Sequence, residues 1–202
     1  MFIKLYEENP NQRHIQQIVD VLKSGGIIIY PTDTVYGLGC DITKPKAVEK
    51  IAQLRGIKLS KANFSFICQD LSHLSSYSLP LDNNVFKMLK RNLPGPFTFI
   101  LKANNNVPKL FKSNKKTIGI RVPNNNIIRN IVEELGNPIL TTSIYDEDNN
   151  EYITDPEIIN DVYNQKVDII IDGGYSENKA STVVDCSGDE IVIIRAGKGE
   201  LL

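Results

Sequence analysis

The chain has 202 residues, 41% hydrophobic and 23% charged, with a formal net charge of −1. This is an ordinary soluble composition, long enough for one sizeable α/β domain or two small ones. No apolar run approaches the roughly 20 residues of a membrane helix, which excludes a spanning role.

Cys40, Cys68 and Cys186 are odd in number and far apart, which argues against a disulfide framework. The only histidines are His14 and His73, so no metal-ligand set is assigned and a histidine-based triad is not expected. The first residues lack the basic start and apolar core of a signal peptide, so cytoplasmic residence is the expectation. Charge is unevenly spread. Between Asp82 and Glu133 there is no acidic residue but ten basic ones: Lys87, Lys90, Arg91, Lys102, Lys109, Lys112, Lys115, Lys116, Arg121 and Arg129. Such a segment predicts a basic face or cleft for an anion, with about half of its lysines simply solvated.

In chain order, Asn11–Ser24 reads as a helix with Ile15, Ile18, Val19 and Leu22 on one stripe, ended by Gly25-Gly26. Ile27–Ile29 predicts a buried strand that stops at Pro31 and empties into a polar loop bearing Thr32, Asp33, Thr34, Tyr36, Gly37 and Gly39. Such a loop suits the delivery of functional groups to a pocket. A second helix runs from about Lys44 to Leu54, capped by Asp41 or Thr43, and enters the basic turn Arg55-Gly56-Ile57-Lys58. Asn63–Gln69 predicts a strand and Leu71–Tyr77 a turn of helix. Asp82 caps a helix to Asn92 with Val85, Phe86 and Leu89 inward.

After Pro94-Gly95-Pro96, Phe97–Lys102 is strand-like. Thr117–Val122 alternates Ile118, Ile120 and Val122 with Thr117, Gly119 and Arg121, so a core on the first face turns Arg121 toward a cleft. There Arg121 is expected to serve binding and to carry little stability. Asn126–Leu135 has the clearest helical period, and Ile139–Ser143 is a short strand ending in hydroxyls. Asp146–Glu151 is a polar loop, and Asp155 caps a helix with Pro156 at its first position. Val167–Asp172, Ser181–Asp185 and Ile191–Arg195 are the remaining strands. Helices alternating with strands, some joined by short turns, predict one α/β domain with a mixed sheet.

Neither GxxxxGK[ST] nor GxGxxG after a strand is present, so a nucleotide site must be assembled from scattered loops. Several strand ends carry hydroxyls or arginines suited to carboxylates and phosphates: Thr32, Thr98, Arg121, Thr141, Ser143, Ser181, Thr182 and Arg195. Each could equally end a strand or cap a helix.

The segments YPTDTVYGLG, PGPFT (Pro94–Thr98), TIGIRVP (Thr117–Pro123), Thr142-Ser143, STVVD (Ser181–Asp185) and IIRAG (Ile193–Gly197) occur in the order found in the YrdC/YciO family, which the chain resembles over nearly its whole length. The resemblance implies a single YrdC-like domain over residues 1–202, closest to the short YciO branch. Its fold would be a twisted mixed, mostly parallel sheet flanked by helices around a large positively charged cleft. It further implies a threonylcarbamoyl-AMP synthase-like activity that condenses L-threonine, bicarbonate and ATP, with magnesium accompanying the nucleotide, and serves tRNA modification. Thr32, Arg121 and Ser181 would then bind threonine. Arg55, Lys58, Thr98, Thr141, Ser143 and Arg195 would bind ATP and its phosphates. No covalent nucleophile is required, and no catalytic residue is assigned.

Three positions depart from the synthase pattern. The Lys-x-Arg phosphate motif reads Arg55-Gly56-Ile57-Lys58, Ser-Ala-Asn reads Ser143-Ile144-Tyr145, and a histidine position is Cys68. The threonine-side residues favour an enzyme. The departures favour a YciO-like protein that binds a nucleotide or double-stranded RNA without this chemistry.

Overall fold

The computed structural model describes residues 1–59, 62, 64–108, 116–146 and 151–202. Lys109, Lys112, Lys115, Asn63 and most of the 146–151 loop therefore lie outside the described residues.

Twelve strands and six helices are described. The strands are β1 (Phe2–Lys4), β2 (Ile28–Tyr30), β3 (Gly37–Asp41), β4 (Ser65–Ile67), β5 (Phe97–Lys102), β6 (Thr117–Arg121), β7 (Ile139–Ser143), β8 (Tyr145–Asp146), β9 (Glu151–Tyr152), β10 (Ile169–Asp172), β11 (Thr182–Asp185) and β12 (Val192–Arg195). The helices are α1 (Gln12–Lys23), α2 (Pro45–Leu54), α3 (Leu71–Ser75), α4 (Asn83–Asn92), α5 (Asn126–Leu135) and α6 (Pro156–Tyr163). Ten strands form one sheet in the order β1-β10-β2-β3-β7-β4-β6-β5-β11-β12, and β8–β9 is a separate hairpin. Six of the ten run in one direction, so parallel and antiparallel pairs are interspersed as the expected mixed sheet requires.

The helix starts follow from local chemistry. Asn11 Oδ1 accepts from the N–H groups of Arg13 and His14, Asn125 Oδ1 from Ile128 N–H, and Asp155 Oδ1 from Glu157 N–H. α2 differs from expectation: its cap position is Lys44, with Pro45 first in the helix, while Asp41 Oδ1 accepts from Thr43 N–H in the preceding turn. In α4, Leu89 is buried but Phe86 is 42% exposed, so the inward stripe is narrower than predicted.

Each sheet face has its own cover. One carries Ile29, Leu38, Cys40, Phe66, Phe99, Leu101, Ile118, Ile120, Leu140 and Val184, packed with α2, α4 and α6. The other carries Ile3, Ile28, Tyr30, Ile139, Ile169 and Ile171, packed with α1 and α5. The five inward residues of α5 are at most 5% exposed. Their burial contributes roughly 10 kcal/mol of transfer free energy before chain entropy is counted.

That second face changes character along the sheet. One transverse row runs Ile28, Gly39, Thr141, Ser65, Gly119, Ile100 through successive strand pairs. Directly opposed residues point to the same side. The row thus passes from isoleucine under helices to serine, threonine and glycine. The apolar cluster on this face includes α1 and α5 residues but none from β5, β6 or β11, so no described helix covers the polar half of the row. The cleft lies there.

The stretch expected to be a loop after Pro31 is shorter than predicted. Gly37–Asp41 is β3, buried throughout and flanked by β2 and β7. At the far edge, β12 is exposed along its whole length, with Ile193 52% and Ile194 57% exposed. Among the described residues no helix is long and apolar enough to cross a membrane.

Candidate functional site

The cleft measures about 660 Å³. Its lining includes Arg55, Ser65, Thr98, Gly119, Arg121, Thr141, Ser143, Ser181 and Arg195, with Leu59, Phe64, Tyr145 and Tyr152 among its walls. Seven of the nine residues that the resemblance assigns thus meet in one place: Thr98 from β5, Arg121 from β6, Thr141 and Ser143 from β7, Arg195 from β12, Ser181 just before β11 and Arg55 at the end of α2.

Arg121 is the most constrained of them. It is 6% exposed. One terminal nitrogen donates to Asp33 Oδ1 at 3.0 Å and to Thr34 Oγ1 at 2.9 Å, while Nε is buried without a hydrogen-bond partner. Asp33 is itself held, its Oδ2 accepting from Asn124 N–H at 3.0 Å and its carbonyl from Lys198 Nζ at 2.8 Å. A buried guanidinium with donor capacity to spare is suited to an anionic group of a ligand.

Thr98 and Ser181, 6% and 4% exposed, share a hydroxyl–hydroxyl hydrogen bond of 2.8 Å. Arg195 reaches over from β12 and donates through Nη2 to the Ser181 carbonyl at 2.8 Å and through Nε at 3.2 Å. The turn after β12 is pressed onto the same place. A Cβ at Gly197 would stand 2.4 Å from the Ala180 carbonyl oxygen and 2.4 Å from the Ser181 carbonyl carbon, so only glycine lets the backbones come this close. On the floor, a Cβ at Gly119 would meet Ser65 Oγ at 2.6 Å. Beside the floor, on the same sheet face, lies Tyr30, whose phenol burial pushes well above its ordinary range, with the Thr141 hydroxyl and the Arg121 charge acting the other way.

Two predicted residues are not in the lining. Thr32 Oγ1 donates to the Val35 carbonyl at 2.7 Å and accepts from Thr34 N–H at 3.1 Å, so its hydroxyl closes the turn after β2. It reaches the site only through Thr34, which touches Arg121. Lys58 is exposed and lies outside the lining, whereas Arg55 lies within it. Of the seven described cations in the basic segment, Arg121 alone lines the cleft. Lys87, Lys90, Arg91, Lys102 and Lys116 are solvated.

Ser65, Tyr145 and Tyr152 line the cleft without having been singled out as site residues. Ser65 sits in a short apolar strand, and the tyrosines lie on a hairpin that the sequence reads as a loop. Among the described residues no cluster of three His, Cys, Asp or Glu side chains could hold a metal ion.

The model of the Sua5/YciO/YrdC family, described as "Telomere recombination", matches residues 20–197. YciO of Escherichia coli strain K12 is 43% identical over 201 residues, 99% of this chain and 97% of its own. The crystal structure of E. coli YciO superposes with a TM-score of 0.92, covering 99% of this chain and 97% of that one. A protein named threonylcarbamoyl-AMP synthase from Nitrosococcus oceani is 36% identical over 134 residues, 66% of this chain and 71% of its own. P. abyssi Sua5, crystallised with L-threonine, shares the fold at 24% identity and a TM-score of 0.87, over 98% of this chain and 57% of that one. With a family model spanning most of its length and a full-length relative at this identity, the chain belongs to the Sua5/YciO/YrdC family.

Proposed function

We propose that this chain, acting as one YrdC-like domain over residues 1–202, is a threonylcarbamoyl-AMP synthase-like protein that uses L-threonine, bicarbonate and ATP. The observation that carries this reading is Arg121, buried in a hydroxyl-lined cleft with an unpartnered Nε. The Nitrosococcus relative named for this activity and the threonine-bound Sua5 of the same fold support it.

In this reading Arg121 takes the threonine carboxylate, and Ser181 borders the amino acid while its hydroxyl is bonded to Thr98 on the ATP side. The threonine nitrogen adds to the bicarbonate carbon, and loss of water leaves a carbamate. A carbamate oxygen then bonds to the α-phosphorus of ATP as the bond to the bridging oxygen breaks, releasing pyrophosphate. The carbamate is unstable in water, so the cleft must hold it in line and dry. Magnesium enters with the nucleotide. Arg55 and Arg195 offset phosphate charge, and Thr141 and Ser143 supply hydroxyl donors. Thr32 acts at one remove, by holding the turn that carries Asp33 and Thr34.

The exposed position of Lys58, and a tyrosine at 145 in place of the family asparagine, favour a second reading: a cleft that holds a nucleotide or double-stranded RNA without the synthase step. Pyrophosphate release from ATP separates the two. Release that requires both threonine and bicarbonate is expected; ATP binding without such release sinks the synthase reading and leaves the second.

A further inference from the structure

Three aromatic side chains line the cleft among the described residues: Phe64, Tyr145 and Tyr152. Phe64 is 8% exposed and its ring belongs to the core. The two tyrosines are half-buried. They oppose each other across β8 and β9, with ring centroids 5.1 Å apart and planes at 75°. Both rings line the cleft, so the edge-to-face pair presents ring surface to it. The pair is also well anchored. Between Ser143 and Tyr145, Ile144 is 1% exposed in the core, and its N–H donates to the Tyr36 carbonyl at 3.1 Å.

From this geometry we infer that Tyr145 and Tyr152 form the platform on which the base of a nucleotide stacks, with its phosphates toward the arginine-bearing floor. The inference rests on the nucleotide-binding part of the function proposed above. The rest of the described lining supplies hydroxyl and guanidinium donors and aliphatic side chains such as Leu59, Ile100 and Val183, but no aromatic face. Phe64 is too buried to supply one, which among the described residues leaves the tyrosine pair. Stacking accepts any base, because every base has a π face. The platform therefore holds purine nucleotides of either kind.

Calorimetry with magnesium and ATP, GTP or inorganic tripolyphosphate tests this on the wild-type chain and on Tyr145→Ala, Tyr152→Ala, Tyr145→Phe and Tyr152→Phe. The alanine variants are expected to bind ATP and GTP about tenfold more weakly. Tripolyphosphate affinity stays unchanged, and the phenylalanine variants remain within about twofold of wild type, because the ring is kept. Wild-type ATP affinity in both alanine variants overturns the platform alone. An equal loss of tripolyphosphate binding also overturns it, since the tyrosines would then only shape the cleft. A wild-type chain that binds tripolyphosphate but gains nothing from the base overturns it as well. No ATP binding by the wild type removes the nucleotide reading and the platform together.

Discussion

Asp33 and Arg121 form an ion pair of 3.0 Å in which the two side chains are 9% and 7% exposed. The sequence places Arg121 on a cleft face and so predicts little effect on stability when it is removed; the pair changes that. Taking away one partner leaves the other charge buried and uncompensated. Asp33→Ala and Arg121→Ala are each expected to cost about 3 kcal/mol, a drop of roughly 6–12 °C in Tm for a chain of this size. Urea unfolding of both variants checks this, and wild-type midpoints would show that water already screens the pair.

Gly197 is the next sensitive point. Its added Cβ would meet the backbone of Ala180 and Ser181 at 2.4 Å, and a backbone cannot swing aside like a flexible side chain. Gly197→Ala is expected to lose about 1–3 kcal/mol of stability. It should also weaken whatever ligand touches Ser181, because Arg195 is bonded to the Ser181 carbonyl. Unfolding midpoints measured alongside ATP and threonine affinities separate the two effects, and unchanged affinity would detach the turn from the site.

His73 sets a pH response away from the cleft. Burial lowers its pKa below the ordinary value, with Asp70 opposing, and its Nδ1 accepts from Gln69 N–H at 3.3 Å only when unprotonated. A folded-state pKa below the unfolded value of about 6.5 means that this contribution is complete above that pH. It is lost as pH falls through the folded value, since the unfolded chain takes up the proton first. Stability should therefore decline below about pH 6.5 more steeply in the wild type than in His73→Gln. Identical slopes in urea titrations at several pH values would remove His73 as the cause.

The three thiols should react unequally. Cys40 and Cys68 are fully buried, and burial raises both above the usual thiol range. Cys186 is half-buried and pushed to about 11. The thiolate is the reactive form. A maleimide at pH 8 should therefore label Cys186 slowly and the other two only on unfolding, which mass spectrometry of the native and denatured chain reads directly. Fast native labelling of Cys40 would contradict the packing of β3.

Much of the site could be read from local pattern because alternation in a strand fixes which way a side chain points. Thr117–Arg121 is the clear case. Ile118 and Ile120 are in the core, and Arg121 lines the cleft as the alternation requires. The helical stripes of α1 and α5 were readable for the same reason. β3 was not, because Gly37 and Gly39 have low strand propensity; the strand is held by neighbours on both sides. Sequence alone does not say whether Thr32 faces the pocket or closes the turn, because the two kinds of hydroxyl look alike there; in the structure its Oγ1 closes the turn. Ser65 and the Tyr145–Tyr152 pair depend on strand order, which no local pattern encodes.

The transverse row from Ile28 to Gly119 gives the cleft a particular character. It is the place where the core stops, left open on a face that isoleucines and helices fill elsewhere. Its depth is set by how little Ser65, Gly119 and Thr141 project, so its capacity can change one side chain at a time while α1, α5 and the opposite face keep the chain folded. Substitutions at those three positions would thus resize the cleft without redesigning the scaffold around it.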